Sequence, residues 1–297
     1  MFWGADIPLT NKNFWKRVKD RYTRFANEEN VKINFIKTNL RRFIDDRFLD
    51  VAIGRHREDF SWWGSFSHGL AQLGLCAPLT AVEHIGTMLI ASSCWEGSWI
   101  QVWGSHPLLD NKISWANVKV AHDGYDLSRQ GKIRNVLKSY VGRNDVLLRV
   151  CTGTPPPPLF NCSRCEKSLR TITGLVLENI DPTKCGFDVD KSCFDVLKQN
   201  FTEGKFILDT HEHMLWNDIQ RHIPKTMNHN LYNSKEFFNW FKDFDLSRCR
   251  RKWSLKQNTL LCLDRLFYKL PKNIRNIPSV PPTYYDARRH ISKIIKA

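Results

Sequence analysis

The sequence of 297 residues has few cysteines, few acidic side chains and no long uninterrupted apolar run. Nine cysteines are too sparse for a disulfide scaffold, which excludes the small disulfide-stapled secreted domains. Met1–Ala5 leads directly into charged, mixed sequence, without the apolar stretch of a signal peptide. The most apolar stretch, residues 70–90, contains Pro78, Glu83 and His84, so it predicts buried helices and no membrane span. The expected location is therefore the reducing interior of a cell.

Lysine and arginine outnumber aspartate and glutamate by 45 to 30, which gives a formal net charge of +15. Such a surplus favours an acidic partner: nucleic acid, an anionic cofactor, a lipid surface or an acidic protein. The basic residues are dispersed along the chain, however, and a generally solvated basic surface accounts for them more simply. Nucleic acid is therefore an allowed partner but not the favoured one. Hydrophobic residues make up 42% and charged residues 25%, as in a globular protein.

The spacing of apolar residues predicts a mostly α-helical protein, because steps of three and four are typical of amphipathic helices. The predicted helices include residues 31–51, 162–175, 194–201, 208–219 and 224–244. Four consecutive prolines at 155–158 predict a stiff connector and the main internal boundary. We therefore expect an aromatic-rich N-terminal helical region at 1–153, a second helical bundle at 159–279 and a basic tail at 280–297.

Cys162 and Cys165 form a Cys-x-x-Cys pair, the strongest chemical candidate in the chain. At the start of a helix, unpaired backbone N–H groups and the helix dipole would lower the pKa of Cys162, and Arg164 would add positive charge. That arrangement suits dithiol exchange. The pair also continues with Cys185 and Cys193 as C-x2-C-x19-C-x7-C, a set that could hold a tetrahedral zinc ion. Spacing alone leaves the redox and zinc interpretations open.

A second candidate site follows Pro224, a residue suited to the first turn of a helix. On that helix His229, Asn230 and Asn233 would share one face, because they are three and four residues apart. An imidazole flanked by two amides suits stacking on adenine and hydrogen bonding to its ribose. The plainer interpretation is an exposed polar face.

Residues 209–213 contain two histidines that could suggest a metal site. His211 and His213 are two residues apart and would diverge on a helix. We therefore expect two solvated histidines there and no metal ligands.

The Cys-x-x-Cys at 162–165 followed by His-Asn-x-x-Asn at 229–233 resembles the Erv/ALR-type FAD-linked sulfhydryl oxidases. The separation of 67 residues from Cys162 to His229 is similar to the enlarged members found in baculoviruses and related large DNA viruses of arthropods. The resemblance covers residues 160–242. It implies a mostly α fold, a helical bundle with a flavin-binding four-helix-type core and additional N-terminal helices. The cofactor-binding residues that it implies are His229, Asn230, Asn233, Lys235, Trp63 and His68.

The family also has an upstream Trp-x-x-x-His helix that packs on the flavin. Its nearest counterpart here is Trp63 with His68. The spacing between these two residues is one residue too long, and they are far from Cys162 in sequence. His122 is closer in sequence but has no tryptophan at the expected offset.

The resemblance implies a flavin-dependent thiol oxidase that forms disulfides in protein substrates, with oxygen as the electron acceptor. Cys162 and Cys165 would be the catalytic residues, with Cys162 as the interchange cysteine and Cys165 beside the flavin of FAD. Cys185 and Cys193 are candidate shuttle thiols. The implied partners are protein thiols and a second copy in a homodimer, in the host cytoplasm, the nucleus or the virion. The alternative is a zinc-stabilised, basic nucleic-acid-binding or structural viral protein without catalytic activity.

Overall fold

The computed structural model describes residues 2–5, 7–52, 61–98, 103–141, 146–151 and 154–250. Within these ranges the chain is mostly α-helical with little sheet, which confirms the predicted helical class. None of the described helices is long and apolar enough to cross a membrane. The predicted basic tail at 280–297 and the end of the predicted bundle lie outside the described residues.

The part of the chain before the proline run contains two long helices, several short ones and all of the described strands. Its helices are α1 (Lys12–Glu28), α2 (Leu40–Phe43), α3 (Asp46–Ala52), α4 (His68–Val82), α5 (Pro107–Asp110), α6 (Arg129–Lys132) and α7 (Lys138–Val141). Two π-helical turns, Trp63–Ser67 and Ile133–Leu137, precede α4 and α7. The strands are β1 (Phe2–Trp3), β2 (Ile36–Lys37), β3 (Thr87–Ala91), β4 (Ser114–Trp115) and β5 (Val118–Asp123). β1 pairs in parallel with β2, and β5 lies between a parallel β3 and an antiparallel β4.

The long helix predicted at 31–51 is wrong. Residues 31–35 are not helical, and β2, α2 and α3 follow instead. The cause is a tertiary contact: β2 pairs with β1, and the N–H of Thr38 bonds to the carbonyl of Trp3 at 2.8 Å. Pairing with a distant segment thus overrides the helical periodicity of the apolar residues.

The part after the proline run forms the main hydrophobic core. Its helices are α8 (Glu166–Leu177), α9 (Cys193–Thr202), α10 (Thr210–Arg221) and α11 (Ser234–Phe241), with 3-10 turns at Pro182–Cys185, Leu231–Asn233 and Leu246–Cys249. Phe201 of α9, Trp216 of α10 and Phe241 of α11 are almost fully buried and meet at ring-centroid distances of 5.0–5.7 Å. This aromatic contact fixes the three helices relative to one another.

Residues 129–141 precede the proline run but pack against the main core. Gln130 of α6 is buried, and its Nε2 donates to the carbonyl of Gly174 on α8 and to Glu178, both at 3.0 Å. A Cβ at position 174 would stand 2.7 Å from Oε1 of Gln130, so a larger residue there would displace the Gln130 amide. This contact joins the two sides of the predicted boundary; the division into domains at the proline run stays a prediction.

The helix predicted at 224–244 begins only at Ser234, so its first half is wrong. Tyr232 and Asn233 have φ of +55° and +58°, values that an α-helix cannot contain. Polar side chains favour the turn: Asn230 Oδ1 accepts the N–H of Lys235 at 2.9 Å, and the Tyr232 hydroxyl donates to a carboxylate at 2.8 Å. The Asn230 bond is local and competes with helix formation, whereas the acceptor of the Tyr232 hydroxyl is the tertiary partner Asp181.

Replacing Trp216 by alanine is expected to lower the free energy of unfolding by about 3–5 kcal/mol, because a fully buried ring would leave a cavity. Urea unfolding followed by circular dichroism measures this change. Trp240→Ala is the matched control: Trp240 is only half-buried at the edge of the same cluster, so the loss should be smaller. Equal losses in the two variants would contradict this account of the core.

Candidate functional site

Three cysteines bring their sulfur atoms within 4.8 Å of one another: Cys151, Cys162 and Cys165. Cys151 Sγ lies 3.3 Å from Cys162 Sγ and 3.5 Å from Cys165 Sγ, and all three are free thiols. The hydroxyl of Ser168 faces the same point, with Oγ at 3.1, 3.8 and 3.4 Å from the sulfurs of Cys151, Cys162 and Cys165. We call these four residues the thiol cluster. The sequence prediction found the Cys-x-x-Cys pair but missed Cys151 and Ser168.

Asn161 holds the two segments of the thiol cluster together. Its side chain is fully buried, and Oδ1 accepts the N–H groups of Val150 at 2.9 Å and Cys151 at 3.4 Å. Its Nδ2 donates to the carbonyls of Leu148 at 2.7 Å and Gly186 at 3.3 Å. The segment before the proline run is therefore bound to the segment that carries the Cys-x-x-Cys pair.

A tight turn, not the helix itself, contains Cys162. Ser163 has φ of +55°, and the N–H of Cys165 bonds to Cys162 Sγ at 3.3 Å. The N–H of Cys162 in turn bonds to Cys151 Sγ at 3.2 Å. The predicted helix start is thus corrected by a few residues: Cys165 is the N-cap residue, and α8 begins at Glu166.

The three thiols differ in acidity and exposure. Burial would raise the pKa of Cys162, but the N–H groups of Arg164 and Cys165 and the neighbouring thiols outweigh it and lower that pKa to about 6. Burial raises the pKa of Cys151 to about 11. The expected direction for Cys162 is confirmed, although the donors belong to the turn and not to a helix that starts there. Cys165 is exposed, Cys162 is half-buried and Cys151 is buried.

Cys185 and Cys193 do not join the thiol cluster. Cys185 is fully buried at the end of a 3-10 turn. Cys193 begins α9, and burial raises its pKa to about 11. The four-cysteine zinc set expected from the spacing, which combined these two with Cys162 and Cys165, is therefore not assembled.

His229 lies at the other end of α8 from the cysteines. Its Nε2 is 2.7 Å from the carbonyl oxygen of Val176, in the last turn of the helix. Cys165, at the start of α8, is eleven residues away from Val176, or about 16 Å at the helical rise. His229 is half-buried, and its ring is held by the backbone carbonyl of Val176.

Asn230, Asn233 and Lys235 do not share one helical face with His229, because Asn230 and Asn233 precede α11. All three are exposed. Asn230 is occupied in bonding the backbone N–H of Lys235 at 2.9 Å. The shared helical face predicted from the spacing is therefore wrong, and adenine binding by these residues stays a prediction.

Trp63 and His68 are brought together by the first π-helical turn. The N–H of His68 bonds to the carbonyl of Trp63, five residues back, whereas an α-helix would use four. The extra residue between the tryptophan and the histidine is thus absorbed by the wider turn. The two rings meet edge to face at 6.4 Å.

A series of rings leads from this pair towards the start of α8. His68 lies 5.0 Å from Trp103, which stacks on His211 of α10 at 6.2 Å with the planes 1° apart. Burial, with Arg170 next, lowers the pKa of His211 to about 4, so the ring is neutral at pH 7. His211 is therefore stacked and half-buried, and the expected solvated histidine is wrong.

Two charged residues follow Cys165 in the first turns of α8. Arg170 is buried and forms an ion pair with Glu166 at 3.0 Å. Burial is the main cause that raises the pKa of Glu166 to about 7. Sequence reasoning missed both residues; their spacing of four on the helix was the available signal.

A cavity of about 670 Å³ lies beside α8, a volume typical of small-molecule and cofactor sites. Val150, next to Cys151, forms part of its wall, together with Arg170 and Thr171 of α8. The rest of the wall consists of apolar and aromatic side chains together with basic and acidic ones. It includes Trp95, Tyr140, Ile133, Leu137, Arg129, Lys132, Asp126 and Asp218.

No family model, no curated protein and no solved structure matches this chain. What the protein does is therefore inferred from the geometry of the thiol cluster and its surroundings.

Replacing Asn161 by alanine is expected to lower the free energy of unfolding by at least about 2 kcal/mol, because buried backbone groups of Val150 and Leu148 lose their partners. Urea unfolding measures the change. Asn239→Ala, at an exposed position of α11, should stay within about 0.5 kcal/mol of the wild type. A tolerated Asn161→Ala would show that the amide is dispensable.

Alkylation of the reduced, metal-free protein is expected to select Cys162. The thiolate is the reactive form, so a lowered pKa keeps Cys162 reactive as the pH falls, with a midpoint at about pH 6. Cys193, with a pKa of about 11, should stay unmodified at pH 7 and serves as the internal control. Peptide mass spectrometry after iodoacetamide pulses measures both. A midpoint near the ordinary cysteine value of about 8.5 would contradict the assignment.

Proposed function

We propose that this protein is a flavin-dependent thiol oxidase that forms disulfides in protein substrates, with oxygen as the final electron acceptor. The observation that carries the proposal is the pairing of an exposed thiol, Cys165, with a neighbouring thiol in a turn that stabilises its thiolate, Cys162. Such a pair is what thiol–disulfide exchange requires. The resemblance to the Erv/ALR-type oxidases of large DNA viruses supports the same activity and a flavin-binding four-helix-type core.

The chemistry starts from the oxidised pair, in which Cys162 and Cys165 share an S–S bond. A substrate thiolate attacks the sulfur of Cys165; a mixed disulfide forms and the S–S bond within the pair breaks. The electron pair leaves on Cys162, where the N–H donors of the turn stabilise the thiolate. A second substrate thiolate then attacks the mixed disulfide. The substrate disulfide is released, and Cys165 leaves as a thiolate.

Exposure and acidity support this order, in which Cys165 is the interchange cysteine and Cys162 the leaving group. Substrate reaches the exposed sulfur first, and a thiol of low pKa leaves fastest. The family resemblance implied the reverse assignment, with Cys162 as the interchange cysteine.

The cavity beside α8 supports a flavin as the electron acceptor. If bound there, FAD would accept the two electrons released when the Cys162 and Cys165 thiolates re-form their disulfide, and would pass them to oxygen. Apolar and aromatic walls suit its ring system, and Arg129 and Lys132 suit a pyrophosphate. Arg170 places positive charge between the cavity and Cys165. The contacts of Trp63 and His68 leave them at the far end of the ring series.

The residues of the His-Asn-x-x-Asn motif do not line this cavity. A role of His229 in holding the adenine therefore finds no support in its contacts, since its Nε2 bonds to Val176. Asn230, Asn233 and Lys235 likewise do not line the cavity, so a cofactor-binding role for them finds no support there. Protein thiols remain the proposed partners, and the basic surplus would favour acidic ones.

The purified protein is expected to be yellow and to consume oxygen when a reduced, unfolded protein is added. Cys162→Ser and Cys165→Ser should each lower the rate at least about 100-fold while the flavin stays bound, because the exchange steps need both sulfurs. Cys193→Ser should retain the rate, because Cys193 lies outside the thiol cluster and its pKa of about 11 makes it unsuited to the shuttle role that the resemblance suggested. Absorbance spectra and an oxygen electrode give the two readouts.

A colourless protein that consumes no oxygen would overturn the proposal. It would favour a non-enzymatic, zinc-stabilised protein if stoichiometric zinc were found. Unchanged oxygen consumption in both serine variants would also overturn it.

A further inference from the structure

We propose that the reduced thiol cluster is a zinc site whose four ligands are Cys151, Cys162, Cys165 and Ser168. This inference goes beyond the proposed oxidase activity and does not depend on it. It assigns a role to Cys151 and Ser168, which the exchange reaction does not use.

The first argument is the shape of the cluster. Cys151 Sγ lies 3.3 and 3.5 Å from the sulfurs of Cys162 and Cys165, and all three sulfurs lie within 4.8 Å of one another. Ser168 Oγ lies 3.1–3.8 Å from each of them, so the four atoms form a compact group around one point. Ligands at the usual zinc–sulfur and zinc–oxygen distances are about 3.6–3.8 Å apart in a tetrahedral site. The cluster therefore needs to expand by only a few tenths of an ångström to accept the ion.

The second argument is the position of the three sulfurs relative to one another. Thiol–disulfide exchange proceeds by in-line attack, so three exchanging sulfurs must approach a straight line. Cys151 instead lies within 3.5 Å of both other sulfurs, and Ser168 Oγ lies within 3.8 Å of all three. Donor atoms grouped around a common point are the arrangement of metal ligands, and thiolates are ligands that zinc prefers.

The third argument is the support around the ligands. Cys162 Sγ accepts the N–H of Cys165, and Cys151 Sγ accepts the N–H of Cys162. Asn161 fixes the backbone of Cys151 from behind with a fully buried amide. Hydrogen bonds of this kind orient metal ligands before the ion arrives. Cys151 and Ser168 close the site on the inside, and exposed Cys165 leaves a path for entry.

Metal and disulfide exclude one another, because both need the same sulfur lone pairs. Zinc binding displaces the thiol protons and involves no electron transfer, so the bound form is a reduced form. Under the proposed oxidase function, zinc would hold the centre in an inactive state until it is removed.

The test is titration of the full chain, reduced and kept free of oxygen and metal, with Co²⁺ as a spectroscopic substitute for Zn²⁺. The wild type is expected to bind one equivalent with the absorption of tetrahedral cobalt thiolate, and Zn²⁺ should displace it. Cys151→Ser and Cys165→Ser should each weaken binding at least about 100-fold, since each removes a thiolate ligand. Cys165 is exposed, so that variant tests the site even if Cys151→Ser fails to fold.

Cys193→Ser is the matched control, because Cys193 is a half-buried thiol outside the cluster. It should bind Co²⁺ like the wild type. The inference is overturned if the wild type does not bind stoichiometrically, if Cys165→Ser binds unchanged, or if Cys193→Ser loses binding as well. The titration uses neither flavin nor oxygen, so its outcome is separate from that of the oxidase assay.

Discussion

The buried amide of Asn161 is the interaction on which the rest of the site depends. It supplies hydrogen bonds in four directions, to the backbone of Leu148, Val150, Cys151 and Gly186. These groups come from segments on both sides of the proline run, and each would be costly to bury unpaired. Asn161 thereby places Cys151 against the Cys-x-x-Cys pair and fixes the start of α8.

The same local structure is compatible with both chemistries proposed for the thiol cluster, thiol–disulfide exchange and zinc binding. A turn that directs N–H groups at the sulfur of Cys162 stabilises its negative charge, whether that charge is a nucleophile, a leaving group or a metal ligand. The difference lies in the neighbours. Cys165 is exposed, whereas Cys151 and Ser168 are buried and lie 3.1 Å apart on the inner side of the cluster. An oxidant and a metal ion would therefore compete for one set of sulfurs.

Helix α8 connects this cluster to the rest of the fold. Its first turns carry the ion pair of Glu166 and Arg170. Arg170 lines the cavity and acts electrostatically on His211, where the ring series ends. Its middle lies against α6 at Gly174, whose carbonyl accepts a hydrogen bond from the side chain of Gln130. Burial on several sides makes α8 a rigid support, which thiol geometry of this precision requires.

The sequence by itself determined the helical class, the positions of α8, α9 and α10, and the Cys-x-x-Cys pair, because these depend on local periodicity and short spacing. Local patterns failed at 31–51, where strand pairing intervened, and before Ser234, where asparagine side chains favoured a turn. The third thiol could be decided only by the tertiary structure. Ten residues, which include the proline run, separate Cys151 from Cys162. No periodicity predicts that Asn161 will bring the two cysteines into contact. Contacts that depend on the folding of a loop onto a buried amide are set by packing, which local sequence patterns do not contain.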